Sequence, residues 1–135
     1  MTVSPVLRGA ALAAAGALAL GGCGGGAPPR PAPEDAARAA VRGYLGALAA
    51  RDWAGACRRM TPGAQRDLAD AAGRSCARAL ASGAAPDPAE LESTRREVAG
   101  ADVRIRGQDA AVGPLGTAQQ ALKLRRVGGR WLVTS

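Results

Sequence analysis

Residues 118–134 read Ala118-Gln-Gln-Ala-Leu-Lys-Leu-Arg-Arg-Val-Gly-Gly-Arg-Trp-Leu-Val-Thr134, and this stretch decides the fold. Apolar and polar side chains alternate on either side of Gly128-Gly129, which is the period of a strand. Two glycines accept the positive φ angles of a primed two-residue turn, so the stretch reads as a β-hairpin, Ala118 to Val127 out and Arg130 to Thr134 back. Pairing Val127 with Arg130 sets Arg126 opposite Trp131 and Leu124 opposite Val133. One face then carries Leu122, Leu124, Trp131 and Val133, with Arg126 at its end. The other carries Lys123, Arg125, Val127, Arg130 and Leu132. The first is the face that packs.

Upstream of the hairpin the same period continues. Val103 and Ile105 alternate with Asp102, Arg104 and Arg106 as far as a turn at Gly107-Gln108-Asp109, in a region of period two expected from about residue 94. Ala111 to Leu115 is a weaker strand interrupted by Gly113-Pro114, which places it at a sheet edge or at a bulge. Earlier still the period is that of a helix. Ala37, Val41, Tyr44, Leu45 and Leu48 form one stripe over residues 34–50, with Pro33, Glu34 and Asp35 suited to the helix start. Asp52 caps a second short helix with Trp53, Cys57 and Met60 on one side. Thr61-Pro62 opens a third, stopped by Gly73, and Ser75 caps a fourth with Cys76, Ala79 and Leu80 turned inward. Asp87-Pro88-Ala89-Glu90 has the form of a capping box for one further turn. Helices first and an antiparallel meander afterwards predict an α+β domain with the helices on one sheet face.

The start of the chain reads differently. Arg8 precedes an apolar run from Gly9 to Leu20, too short for a bilayer core of about 30 Å and suited to the apolar region of a signal peptide. The run ends in Leu20-Gly21-Gly22-Cys23, which resembles a bacterial lipobox. That resemblance implies cleavage after residue 22 and a diacylglycerol on the Cys23 thiol. The expected organisation is a signal peptide over 1–22, a lipidated Cys23 with a Gly/Pro tether over 23–33, and a folded domain over 34–135. The expected location is the extracytoplasmic face of the cell membrane, with the membrane bound through the lipid on Cys23.

With Cys23 assigned to lipid, Cys57 and Cys76 form an even pair in an oxidising compartment. The alternatives are two buried free thiols or a redox pair, and a redox pair ordinarily shows a C-x-x-C spacing that is absent here. A disulfide is the expectation.

Composition narrows the chemistry. The chain has 135 residues, enough for one domain, and about a quarter of them are alanine. It contains no His and no Phe, so a Ser-His-Asp or Cys-His site and a His-bearing zinc site are excluded within the chain. No Gly-rich phosphate loop, metal-ligand cluster or paired carboxylate site stands out; no catalytic residue, metal or cofactor is expected. The formal charge is +7, and +6 once Arg8 is removed. Seventeen of the 18 basic residues are Arg, a bias that a GC-rich genome produces by itself. The functional reading of the same charge is attraction to an anionic envelope surface. Arg95, Arg96, Arg104, Arg106, Arg125, Arg126 and Arg130 are all expected on the sheet, where several on one face would make a basic stripe. Nucleic acid is not an expected partner, because an exported protein meets none and the aromatic residues that stack bases are missing.

Three stretches together resemble the nuclear-transport-factor-2-like superfamily, in its small actinobacterial lipoprotein branch. They are Ala39-Ala40-Val41-Arg42-Gly43-Tyr44-Leu45 with Arg51-Asp52-Trp53; Ala56-Cys57 through Met60-Thr61-Pro62 to Cys76; and Leu122 through Val133. The resemblance implies a cystatin-like α+β cone, in which a curved antiparallel sheet wraps a long helix around a pocket. Tyr44, Trp53, Leu122, Leu124 and Trp131 would line it. A non-enzymatic module binding a small apolar ligand or an envelope protein is the expected function. The alternatives are an isomerase- or cyclase-like enzyme using Asp102 and Tyr44, with Asp102 pointing inward, or a structural envelope module acting through a basic sheet face.

Overall fold

A computed structural model describes residues 25–135 apart from 84–85 and 118. The expected signal peptide and Cys23 lie outside the described residues, as does Ala118 at the expected start of the long strand. Among the described residues are five α-helices, one 3₁₀ turn and a four-stranded antiparallel sheet of order β1-β2-β3-β4. It is an α+β fold.

The helices form where the local chemistry asks for them. α1 (Pro33–Ala49) has Pro in its first turn and Glu34 and Asp35 at its positive end, and it buries Ala37, Val41, Leu45 and Ala47. α2 (Trp53–Arg58) is capped by Asp52, whose carboxylate accepts from the Gly55 N–H at 2.9 Å. A Cβ at position 55 would fall on that carboxylate. The Thr61 hydroxyl caps α3 (Pro62–Ala72), which Gly73 ends in the left-handed conformation. Ser75 caps α4 (Cys76–Ser82). Packing of α2 against α4 brings Cys57 and Cys76 together in a disulfide.

α5 (Pro88–Glu97) corrects the expectation of a single turn there. Ten residues are helical and Val98–Gly100 continues as a 3₁₀ turn, so the strand period starts at Val103 and not near 94. Leu91 and Val98, seven apart and both buried, hold this polar segment to the core. The Asp87 carboxylate accepts from the Ala89 N–H at 2.7 Å. Glu90 does not fold back to complete a capping box; it accepts from the Thr117 hydroxyl at 3.1 Å. Arg95 and Arg96 therefore lie on a helix, off the sheet.

In the sheet, β1 (Val103–Arg106), β2 (Asp109–Leu115), β3 (Gln120–Val127) and β4 (Arg130–Val133) form a meander. The β3–β4 register is Val127 with Arg130, Arg126 with Trp131 and Leu124 with Val133, as the alternation predicts. β2 is a central strand, and its irregularity is a bulge between Val112 and Leu115. Gly113 there has φ +137°, and a Cβ would lie 2.9 Å from Ala121 Cα, so only glycine fits.

The inner sheet face carries the row Ile105, Ala110, Leu124 and Val133 across all four strands. α1 packs on this face and α5 packs on α1. Val41, Val98, Val112 and Leu124 are fully buried between these layers. The Arg38 guanidinium reaches from α1 to the Ala101 carbonyl at 3.1 and 3.2 Å, tying the helix to the start of β1.

The disulfide closes a loop with a sequence separation of 19 in a core built from small side chains. Replacing Cys57 and Cys76 together by Ala is expected to lower the unfolding free energy by about 3 kcal/mol, read from urea denaturation. An unchanged midpoint would show that the cross-link adds no stability.

Candidate functional site

The residues expected to line a pocket are distributed over three environments. Leu124 is fully buried and Trp131 is 8% exposed, both within the main core. Leu122 and Tyr44 are half-buried and pack against that core from the sheet and from α1. Trp53 stands apart at the far end of α1, in a surface groove of about 430 Å³ with Leu48, Arg51, Pro86 and Pro88. Four of the five thus meet in packing, and Trp53 does not join them.

The carboxylate and phenol of the enzyme alternative are also separated by environment. Asp102 is exposed, not inward as the enzyme alternative requires, because it continues the outward parity of Arg104 and Arg106. Its backbone carbonyl accepts from the Gly113 N–H at 3.0 Å, which extends the β1–β2 ladder by one step and fixes that parity. Tyr44 is the single tyrosine of the chain, and burial raises its phenol above the ordinary range. Among the described residues no group of three or more His, Cys, Asp or Glu is placed to hold a metal ion.

The outer sheet face is a different matter. Strand alternation sends Arg104 and Arg106 from β1, Lys123 and Arg125 from β3 and Arg130 from β4 to the same side. In register, Arg106, Asp109, Arg125 and Leu132 form one row, and Arg104, Ala111 and Lys123 the next. Five cations face two carboxylates there. Asp109 is bound to Arg125 at 2.9 Å, and Asp102 lies at the opposite end of β1. Hydrogen bonding to Asp109 raises the Arg125 pKa further, so that guanidinium stays charged under all ordinary conditions.

Ala111 supplies the floor of this face. Its methyl group leaves a shallow trough of about 590 Å³ between Arg104 and Arg106 on one wall and Lys123 and Arg125 on the other. A small residue flanked by long cationic ones is a surface that an anionic group can approach closely. Arg126 has the opposite parity. Its guanidinium lies 5.9 Å from the Trp131 ring centroid in a cation–π contact and belongs to the inner face. The basic stripe thus consists of Arg104, Arg106, Lys123, Arg125 and Arg130. Sequence reasoning on the arginines overlooked Lys123, although its place in the hairpin register marks it as outward-facing.

Comparison of the chain with protein-family models, with curated proteins and with solved structures finds no match.

Tyr44 offers a direct check of the packing. Its folded pKa is raised, so the folded and unfolded chains hold the phenolic proton equally well below about pH 10, and the unfolded chain loses it first above that. Stability is therefore expected to fall as pH rises beyond about 10. Near-ultraviolet phenolate absorbance should appear only above the range of free tyrosine while the domain stays folded. A free-tyrosine titration curve would place the phenol in water.

Proposed function

We propose that this chain is a lipid-anchored, extracytoplasmic, non-enzymatic binding module that takes an anionic envelope partner on the outer face of its sheet. The observation that carries this reading is the trough over Ala111, walled by Arg104, Arg106, Lys123 and Arg125, with Asp109, paired to Arg125, the one acidic side chain in its lining. Composition explains why the basic residues are arginines, but not why four cations converge around one alanine on one face.

The anchor draws its support from the sequence: Arg8, the short apolar run and the small residues before Cys23 stand in the order that lipid attachment requires. A multiply acylated cysteine holds a protein on a membrane stably, where a single chain would not. The nuclear-transport-factor-2-like reading is supported by helices followed by an antiparallel meander, with the long α1 laid on the inner face. A small apolar ligand draws less support than an anionic partner, because Leu124 and Trp131 are used in packing. The enzyme alternative draws none, since Asp102 and Tyr44 stand on opposite sides of the β-layer: Asp102 follows the outer face and Tyr44 packs on the inner core.

Two experiments test these points separately. Cys23→Ala is expected to abolish incorporation of labelled fatty acid into the protein; persistent labelling would overturn the anchor. Arg104→Gln with Lys123→Gln, both exposed, should elute from a phosphate-bearing column at clearly lower salt than the parent protein while unfolding at the same temperature. Unchanged elution would remove the trough as the binding surface.

A further inference from the structure

The β1–β2 and β3–β4 turns, Gly107-Gln108 and Gly128-Gly129, lie at the same end of the sheet. Asp109 is paired with Arg125, and the Arg126 N–H donates to the Gln108 carbonyl at 2.7 Å, so the two turns sit side by side. The chain arrives at this end as well. Arg30, Pro31 and Pro33, just before and at the start of α1, share a recess with Arg126, Gly129 and Trp131.

The chemistry of this end is distinct. Val127, at the edge of the turn, is 41% exposed and is the one large hydrophobic side chain exposed among the described residues. Gly128 and Gly129 follow it with no side chains to hold the backbone away from a surface. Arg126 and Arg130 flank the turn and Arg30 shares a recess with Gly129, and among the described residues none of the three makes an ion pair. The carboxylates nearby are Asp109, bound to Arg125; Asp35, bound to Arg38 at 3.1 Å; and Glu34, which is exposed at the start of α1.

We propose that this hairpin end rests on the anionic bilayer, with Val127 in the headgroup layer and Arg126 and Arg130 against lipid phosphates. The inference rests on the reading of Cys23 as the lipid anchor. Cys23 precedes Arg30 by seven residues, which span at most about 25 Å, so the end where the chain arrives is the end held close to the membrane. Each cation brought to an anionic surface adds attraction that decays within about 8 Å at physiological salt, which favours contact over a free tether. Among the described residues no helix is long and apolar enough to cross a membrane. The outer trough then stands on the flank of the domain, clear for its partner.

The two tryptophans measure this orientation. Trp131 lies beside Pro31 and Gly129 at the hairpin end, whereas Trp53 lies beside Leu48 at the other end of α1. The helix between them has 17 residues and a length of about 25 Å. The full chain, produced with its lipid, is reconstituted into phosphatidylglycerol–phosphatidylcholine vesicles carrying a spin label on the headgroups. Trp53→Phe leaves Trp131 as the sole indole, and the difference from the parent protein reports Trp53. Trp131 is expected to lose most of its emission and Trp53 to keep its own. Val127→Asp, at an exposed position, should restore Trp131 emission while the lipid mass on Cys23 is retained, and so should replacement of phosphatidylglycerol by phosphatidylcholine. Equal quenching of both tryptophans, or quenching indifferent to Val127→Asp and to lipid charge, would overturn the docking with the anchor intact. Absence of diacylglyceryl mass on Cys23 would overturn the anchor and the docking with it.

Discussion

Val133 joins the two halves of this domain. Its carbonyl accepts from the Thr61 N–H at 2.7 Å and its N–H donates to the Arg59 carbonyl at 2.8 Å. These bonds occupy the outer edge of β4, which would otherwise present unpaired backbone groups to other chains. They also fix the short segment between α2 and α3. Thr61 is thereby placed to cap α3, and Cys57, two residues before Arg59, is placed to meet Cys76. The strap ties α2 and α3 to the sheet, and the disulfide binds α4 to α2. The opposite edge is handled by charge. β1 is four residues long and carries Arg104 and Arg106, which repel a second copy aligned alongside.

The division of labour between the sheet faces follows from the same geometry. Alanines at positions 37 and 110 are nearly or fully buried, so α1 and the inner face approach closely and modest side chains fill the space between them. With Leu124 and Trp131 in that layer, binding falls to the surface. Ala111, one residue from Ala110, has the opposite outlook: the same small side chain that permits close packing inside opens a trough outside.

Much of this was legible beforehand. The β3–β4 register followed from Gly128-Gly129 and strict alternation, because a one-residue slip would have turned Leu124 and Trp131 outward. Caps at Asp52, Thr61 and Ser75 were readable because each is a short polar side chain just ahead of a helical stripe. α5 was underestimated since Leu91 and Val98 are its apolar anchors, and an interval of seven residues gives little periodic signal among polar neighbours. Part of its support is tertiary: Glu97 accepts from the Gly116 N–H at 2.9 Å and Glu90 from Thr117, bonds across 19 and 27 residues that no local reading reveals. Gly113-Pro114 announced an irregular strand, yet the strand is central, because the bulge absorbs the irregularity without surrendering either neighbour. For the site, parity along each strand decided which cations converge. Composition could not, and so Arg95 and Arg96 were grouped with a sheet they do not join.

The Asp52 cap has a consequence for how this chain can change over time. Its carboxylate occupies the very space that a side chain at position 55 would need, so the cap and the glycine are a single unit spread over two positions. Any larger residue at 55 expels the carboxylate and leaves the first turn of α2 uncapped, just ahead of the cysteine that closes the disulfide. Replacement of Asp52 alone leaves a glycine in a short helix with nothing to recommend it. Among descendants of this sequence the two positions are therefore tied, and substitutions there should be inherited in pairs.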